Sequence, residues 1–200
     1  MNSRVTAVAP PPGILERIKH ETLPQHKRLE RAFRILDPDL TREDYRYWLE
    51  RLYGLHAGFE AVIDPWAAAL DIDWTNRRKT PWLRRDLLSL GCREVELDGI
   101  PICDALPDTD SPGRVFGVLY VLEGSTLGGR HIALALEKRL GLTADNGAMF
   151  FNAYGDLLMP RWQSFRARLS AAATTQFVEQ QMIGAARETF ETFEHWLTRP

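Results

Sequence analysis

The sequence predicts an all-α protein that folds as a single domain. Apolar residues recur at spacings of three and four along most of the chain, and no segment sustains the apolar-polar alternation of a strand. The 200 residues are 44% apolar, which is enough for one core that buries roughly 70% of the unfolded surface. We therefore expect one helical bundle over residues 13–200. A disordered lead-in with three successive prolines precedes it over residues 1–12.

Composition argues against several classes of function. The formal charge of -2 gives no bulk attraction to nucleic acid or to an anionic membrane. No run of about 18 apolar residues is present, so we expect no membrane-spanning segment. The N-terminal stretch lacks the apolar core of a signal peptide, and Cys92 and Cys103 are expected to be reduced thiols. We therefore expect a cytoplasmic protein without nucleic-acid or membrane partners.

Two long helices are expected in the first third of the chain. The first runs over residues 13–35 and should kink at Pro24, because proline removes a backbone hydrogen bond. Thr41 and Asp44 resemble a capping box. They start a second helix that continues to about residue 63.

Proline and the turn-forming residues mark the boundaries that follow. Pro65 ends the second helix, and a short helix to residue 70 follows it. Pro81 opens another helix that ends near residue 90. Residues 91–110 are expected to form a long loop, because proline and glycine recur there and no helical period is sustained.

Four further segments complete the predicted bundle. Ser111 and Pro112 supply the N-cap and first position of a long helix that ends at Gly141. The remaining elements are a turn or short helix over 146–154, a helix over 156–172 and a last helix over 175–198. The apolar residues of that last helix recur at alternating spacings of three and four, so its stripe is expected to belong to the core.

The interior of the long helix contains an unusual number of glycines, at positions 117, 124, 128 and 129. Each interior glycine costs roughly 1 kcal/mol relative to alanine, so the four together cost on the order of 3 to 4 kcal/mol. Gly124 and Gly128 are four residues apart and share one helical face. Taken alone, this pattern favours close packing against another helix over contact with a planar ligand. Either the helix bends there or something approaches its backbone closely.

One histidine-carboxylate pair is a candidate for chemistry. Glu30 follows His26 by four residues, and a carboxylate at that spacing can orient a metal-binding imidazole. Spacing alone favours an ordinary surface pair, since His56 and Glu60 repeat it. No Glu precedes a His by three residues, which disfavours a di-iron site, and the scattered histidines disfavour a structural zinc. His131 is a rival ligand, although a boundary histidine is the favoured interpretation.

The histidine pair and the glycines occur in an order that is typical of one family. Thr22 lies four residues before His26 and Glu30 four residues after it, within residues 18–30, and the glycine pattern follows in residues 119–129. With these segments the chain resembles the bacterial, biliverdin-producing heme oxygenases. The resemblance extends over residues 14–197 and also includes Trp162, Phe165 and the segments 150–155 and 186–197.

The resemblance implies a heme oxygenase-like helical bundle. Heme, as substrate and cofactor, would be sandwiched between a proximal helix and a kinked, glycine-rich distal helix. By the family pattern, His26 would bind the heme iron and Glu30 would orient it. Lys19 and Arg166 match positions that would bind the heme propionates.

The glycines acquire a role through the same resemblance. Gly124, Gly128 and Gly129 would let the distal helix approach the porphyrin and direct dioxygen toward a meso carbon. Ser125 stands where some family members place an aspartate that organises water. We therefore expect that Ser125 helps to hold water for proton delivery.

The implied reaction opens heme to biliverdin and releases ferrous iron and carbon monoxide. It requires dioxygen and an external electron donor, such as ferredoxin or a flavodoxin reductase, and a bilin-binding phytochrome is a further expected partner downstream. Two alternatives stay open at this point. One is a carrier or sensor that holds heme without degrading it, and the other is a relative that has lost heme and transforms another small molecule.

Overall fold

The computed structural model describes residues 12–198, and nearly all of the expected lead-in lies outside this range. Within it the chain forms α-helices and short 3-10 turns and no strand, which confirms the predicted all-α fold. The helices are α1 (Ile14–Ala32), α2 (Arg42–Ile63), α3 (Ala67–Leu70), α4 (Thr80–Ser89), α5 (Glu94–Leu97), α6 (Pro112–Leu140), α7 (Met149–Asn152), α8 (Leu158–Ala172) and α9 (Gln176–Thr198).

The predicted helix boundaries follow from local capping chemistry. The Asp44 amide donates to the Thr41 hydroxyl at 3.0 Å, and the Thr41 amide donates to the Asp44 carboxylate at 2.9 Å. This reciprocal pair is the predicted capping box of α2. Ser111 caps α6 by accepting from the Arg114 amide at 3.4 Å. Gly141 ends that helix with a φ of 67°, a conformation that glycine adopts without strain.

Two predictions of secondary structure are wrong. The first helix ends at Ala32 and not at residue 35, because Phe33 leaves the helical region with a ψ of 89° and a 3-10 turn follows. Residues 91–110 contain the short helix α5 inside the predicted loop. The Glu96 carboxylate starts that helix by accepting from the Arg93 amide at 2.6 Å. The helical assignment of α1 is continuous through Pro24, and the kink expected there stays a prediction.

Helix α9 lies at the centre of the bundle and packs against both α1 and α6. The predicted apolar stripe of α9 is buried, which confirms its place in the core; it comprises Ile183, Ala186, Phe190, Phe193 and Leu197. A side chain on Gly117 of α6 would overlap the backbone carbonyl of Met182 in α9. This glycine therefore serves close helix packing.

The segment after α5 is held against α2 by backbone contacts. The Cys103 amide donates to the Gly54 carbonyl at 3.1 Å. A Cβ atom on Gly54 or Gly58 would overlap the carbonyl oxygen of Pro101 or of Cys103. Within residues 12–198, no helix is both long and apolar enough to cross a bilayer.

Candidate active site

A cavity of about 790 Å³ lies between α1 and α6, and α8 and α9 close its side. This volume is in the range of about 300 to 1,000 Å³ that is typical of small-molecule sites. The lining residues are Leu15, Glu16, Lys19, Thr22, Leu23, His26, Leu29 and Glu30 from α1, Tyr120, Val121, Gly124, Ser125, Leu127 and Gly128 from α6, Trp162 and Arg166 from α8, and Phe190 and Phe193 from α9. All predicted site residues except Gly129 are therefore in one place.

His26 stands on the α1 wall of this cavity. Its Nδ1 atom is 3.6 Å from the Glu30 Oε1 atom, and its ring meets the edge of Phe190 at a centroid distance of 5.5 Å. The 3.6 Å separation exceeds a hydrogen-bond length of about 2.7 to 3.2 Å, so the carboxylate is close to the ring without a formed hydrogen bond. Because Glu30 lies at Nδ1, Nε2 is the nitrogen left for a ligand.

The facing wall is a strip of backbone formed by Gly124 and Gly128, here named the glycine strip. A Cβ atom on Gly128 would meet nothing within 4 Å, and one on Gly124 would meet only a Trp162 ring carbon, at 3.8 Å. Packing of the protein therefore does not require glycine at either position. Side chains there would instead enter the cavity, so the strip leaves open space along this part of α6.

Gly129 does not belong to this strip, contrary to the prediction from sequence. It is buried, and a Cβ atom on it would lie 2.6 Å from the carbonyl oxygen of Phe151. The structure therefore gives Gly129 a packing role, in which its missing side chain admits the backbone of α7. It points away from the cavity lining, since it is one residue, or about 100°, beyond Gly128 on the helix.

Ser125 lines the cavity beside the strip, and its hydroxyl donates to the Leu122 carbonyl at 2.8 Å. Since that donor is used within the helix, the oxygen lone pairs are what Ser125 can offer to a water molecule. Ser125 is exposed. The position therefore suits a residue that holds water at the edge of the cavity.

Two cations border the cavity without a carboxylate partner in residues 12–198. They are Lys19 of α1 and Arg166 of α8, and both side chains are exposed. Other arginines on these two helices form ion pairs, for example Arg28 with Glu194 and Arg168 with Asp71. Lys19 and Arg166 are therefore available for anionic groups of a ligand.

The remaining histidines are not part of the cavity lining. His131 is exposed on α6, in keeping with the boundary role favoured from its sequence position. His56 is buried between Phe150 and Phe193, and neither of its ring nitrogens has a hydrogen-bond partner. Burial lowers the pKa of His56 to about 3. His56 forms no hydrogen bond with Glu60, which instead accepts from the Lys79 and Thr80 amides at the start of α4.

Sequence reasoning missed a buried ionic cluster on the far side of α6. It consists of Glu123, Arg77, Lys79 and Tyr154. These residues come from segments far apart in the sequence, so no spacing pattern joins them. The one available signal was a charged residue, Glu123, in an otherwise apolar run that precedes Gly124.

Solved structures with similar folds are bacterial enzymes. The NO- and CO-bound heme oxygenase from Neisseria meningitidis matches with a TM-score of 0.78 and 22% identity, covering 92% of this chain and 90% of that one. The heme oxygenase from Leptospira interrogans matches with a TM-score of 0.78 and 18% identity over 94% of this chain and 99% of that one. Heme oxygenase-1 from Synechocystis, in complex with heme, matches with a TM-score of 0.74 and 13% identity over 93% and 91%.

Sequence comparisons give the family itself. A protein named heme oxygenase from Xanthomonas campestris is 37% identical over 153 residues, which are 76% of this chain and 87% of that protein. The family model described as heme oxygenase matches residues 13–199. The chain thus belongs to the heme oxygenase family.

Proposed function

We propose that this heme-degrading enzyme carries out its reaction in the cavity between α1 and α6, with heme as both substrate and cofactor. The products are biliverdin, ferrous iron and carbon monoxide, and the reaction consumes dioxygen and external electrons. The observation that supports this site most strongly is the placement of His26 and Glu30 opposite the glycine strip. The two features face each other across one cavity in a chain whose family is established.

The residues present fit a heme. The lining is mostly apolar, which suits a porphyrin, and the glycine strip leaves room for a planar ring against α6. His26 offers a ring nitrogen to the iron, and Lys19 and Arg166 offer unpaired positive charge for two propionates. A neutral imidazole is the iron ligand that globins use to bind dioxygen.

Each group then has a separate task. His26 holds the iron through Nε2, and Glu30 restrains the ring orientation from the Nδ1 side. When bound, heme supplies the iron at which dioxygen is activated. The apolar walls offer few partners to water, whereas Ser125 offers lone pairs that can keep one ordered water at the glycine strip. Lys19 and Arg166 fix the rotation of the ring by pairing with its propionates.

The expected partners beyond heme and dioxygen are electron carriers. We propose that ferredoxin or a flavodoxin reductase supplies the electrons, because the reaction requires an external reductant. The bilin product would be available to a bilin-binding phytochrome. We also propose a cytoplasmic location, in keeping with the buried thiol of Cys92.

Aerobic turnover of added hemin tests this function. The hemin complex should show a Soret band, and ascorbate or a ferredoxin reductase system in air should replace it with a bilin band. His26→Ala should abolish the normal complex and turnover. His20→Ala is the matched control, because His20 is also exposed on α1 but does not line the cavity. A Soret band that survives the reductant unchanged would indicate a carrier and contradict the proposal.

A further inference from the structure

The buried face of α6 carries a carboxylate with three hydrogen-bond donors. Glu123 is 2% exposed and directly precedes the glycine strip. It accepts from the Arg77 guanidinium, from Lys79 Nζ at 2.9 Å and from the Tyr154 hydroxyl at 2.8 Å. Burial raises the pKa of Tyr154, so this hydroxyl stays protonated and can donate.

This cluster joins α6 to the surrounding helices. Arg77 Nη2 donates to the Arg161 carbonyl of α8 at 3.2 Å. Lys79 precedes α4, and its amide donates to Glu60 of α2 at 2.5 Å. Its ammonium also donates to the Tyr154 hydroxyl at 2.6 Å. Through Arg77 and Lys79, Glu123 therefore connects α6 to segments that contact α8 and α2.

The glycine strip itself does not hold α6 in position, although Tyr120, one turn before it, contacts the Trp162 ring at a centroid distance of 5.9 Å. Gly124 and Gly128 have no side chains. A Cβ atom on Gly128 would meet no heavy atom within 4 Å, and one on Gly124 would meet only a Trp162 ring carbon, at 3.8 Å. The depth of the strip in the cavity is therefore set by side chains outside it, and many of these lie on the buried face of α6. On the side turned away from the cavity, Gly129 packs against the Phe151 backbone and Glu123 supplies the polar contacts.

We propose that Glu123 is a positioning residue that fixes the depth of the glycine strip over the heme cavity through its bonds to Arg77, Lys79 and Tyr154. This rests on the proposed function, because the cavity is assigned to heme. The cluster acts through the backbone of α6 and contacts no ligand itself. Weakening it should loosen α6 and change the surroundings of the bound heme, while the core stays folded.

Tyr154→Phe is the mildest test. It removes only the hydroxyl that donates to Glu123 and accepts from Lys79, and it leaves Lys79 paired with Glu123 at 2.9 Å. Tyr45→Phe is the matched control: Tyr45 is fully buried and its hydroxyl donates to the Gly147 carbonyl at 2.8 Å, away from the cluster. Hydrogen exchange of α6 amides in the full heme-free chain should accelerate by about five- to tenfold in Tyr154→Phe and not in Tyr45→Phe.

The ferric heme complex provides a second readout that a general loss of stability would not move. The visible absorption spectrum of this complex is recorded as a function of pH. The pH at the midpoint of the spectral change should shift by about 0.3 units or more in Tyr154→Phe, and not in Tyr45→Phe. Glu123→Gln should cause a larger increase in the exchange rate of the α6 amides and a larger shift of the pH midpoint than Tyr154→Phe.

Equal effects of Tyr154→Phe and Tyr45→Phe, or wild-type behaviour of Tyr154→Phe, would overturn the positioning role. The exchange experiment needs no heme, so it decides this role even where the wild-type chain fails to bind heme. That failure would instead contradict the proposed function.

Discussion

Alanine substitutions at two adjacent glycines of α6 should change the stability of the heme-free protein in opposite directions. A Cβ atom on Gly128 meets nothing within 4 Å, so Gly128→Ala should gain the helix propensity difference of about 1 kcal/mol. A Cβ atom on Gly129 would lie 2.6 Å from the Phe151 carbonyl oxygen. That oxygen belongs to buried backbone and cannot swing away. Overpacking of this kind costs about 1 to 3 kcal/mol. The helix propensity of alanine offsets about 1 kcal/mol of this cost, so Gly129→Ala should be destabilising by up to about 2 kcal/mol.

Urea and thermal unfolding of the heme-free variants would measure both effects. For a chain of this size, 1 kcal/mol corresponds to a change in Tm of roughly 2 to 4 °C. Gly128→Ala should therefore have the higher Tm but turn over heme more slowly, because its methyl group enters the cavity. If both variants were stabilised alike, the assignment of Gly129 to packing would be refuted. If Gly128→Ala were destabilising, the open space at the glycine strip would be wrong.

Three further predictions concern buried titrating groups and the cavity border. Burial lowers the pKa of His56 to about 3, so stability is lost as pH falls from about 6.5 toward 3, where only the unfolded chain takes up a proton. His56→Leu should flatten this part of the curve of unfolding free energy against pH. Burial raises the pKa of Asp86 from 3.8 to about 6. The contribution of Asp86 to the free energy of unfolding therefore declines as pH rises between these values. Asp86→Asn should remove this pH dependence of the unfolding free energy, measured with urea. Arg166→Ala should weaken hemin binding about two- to fivefold in an absorbance titration, whereas Arg168→Ala should leave it unchanged because Arg168 pairs with Asp71.

The sequence was sufficient for the parts of the fold that local chemistry determines. The capping box at Thr41, the N-cap at Ser111 and the C-terminal glycine at position 141 each depend on residues within a few positions of each other. The apolar stripe of α9 follows from helical periodicity alone. Helix α5 was missed because a helix of four residues is too short to show that periodicity.

In the candidate site, too, contacts within one helix could be predicted from the sequence and tertiary contacts could not. The pairing of His26 with Glu30 is a property of one helix and could be predicted from spacing. The sequence places Gly128 and Gly129 about 100° apart on one helix, but it does not show which of the two faces is packed. What distinguishes them is a tertiary contact with Phe151. The environment of Glu123 was hidden for the same reason, because its partners are brought together only by folding.

The central claim is that His26 binds the heme iron through the nitrogen that faces away from Glu30. The most direct measurement is the absorption spectrum of the ferric heme complex of His26→Gly, recorded with and without added imidazole. The substitution should remove the wild-type spectrum, and imidazole, which supplies the missing nitrogen ligand, should restore it. A wild-type spectrum in His26→Gly without imidazole would contradict the claim.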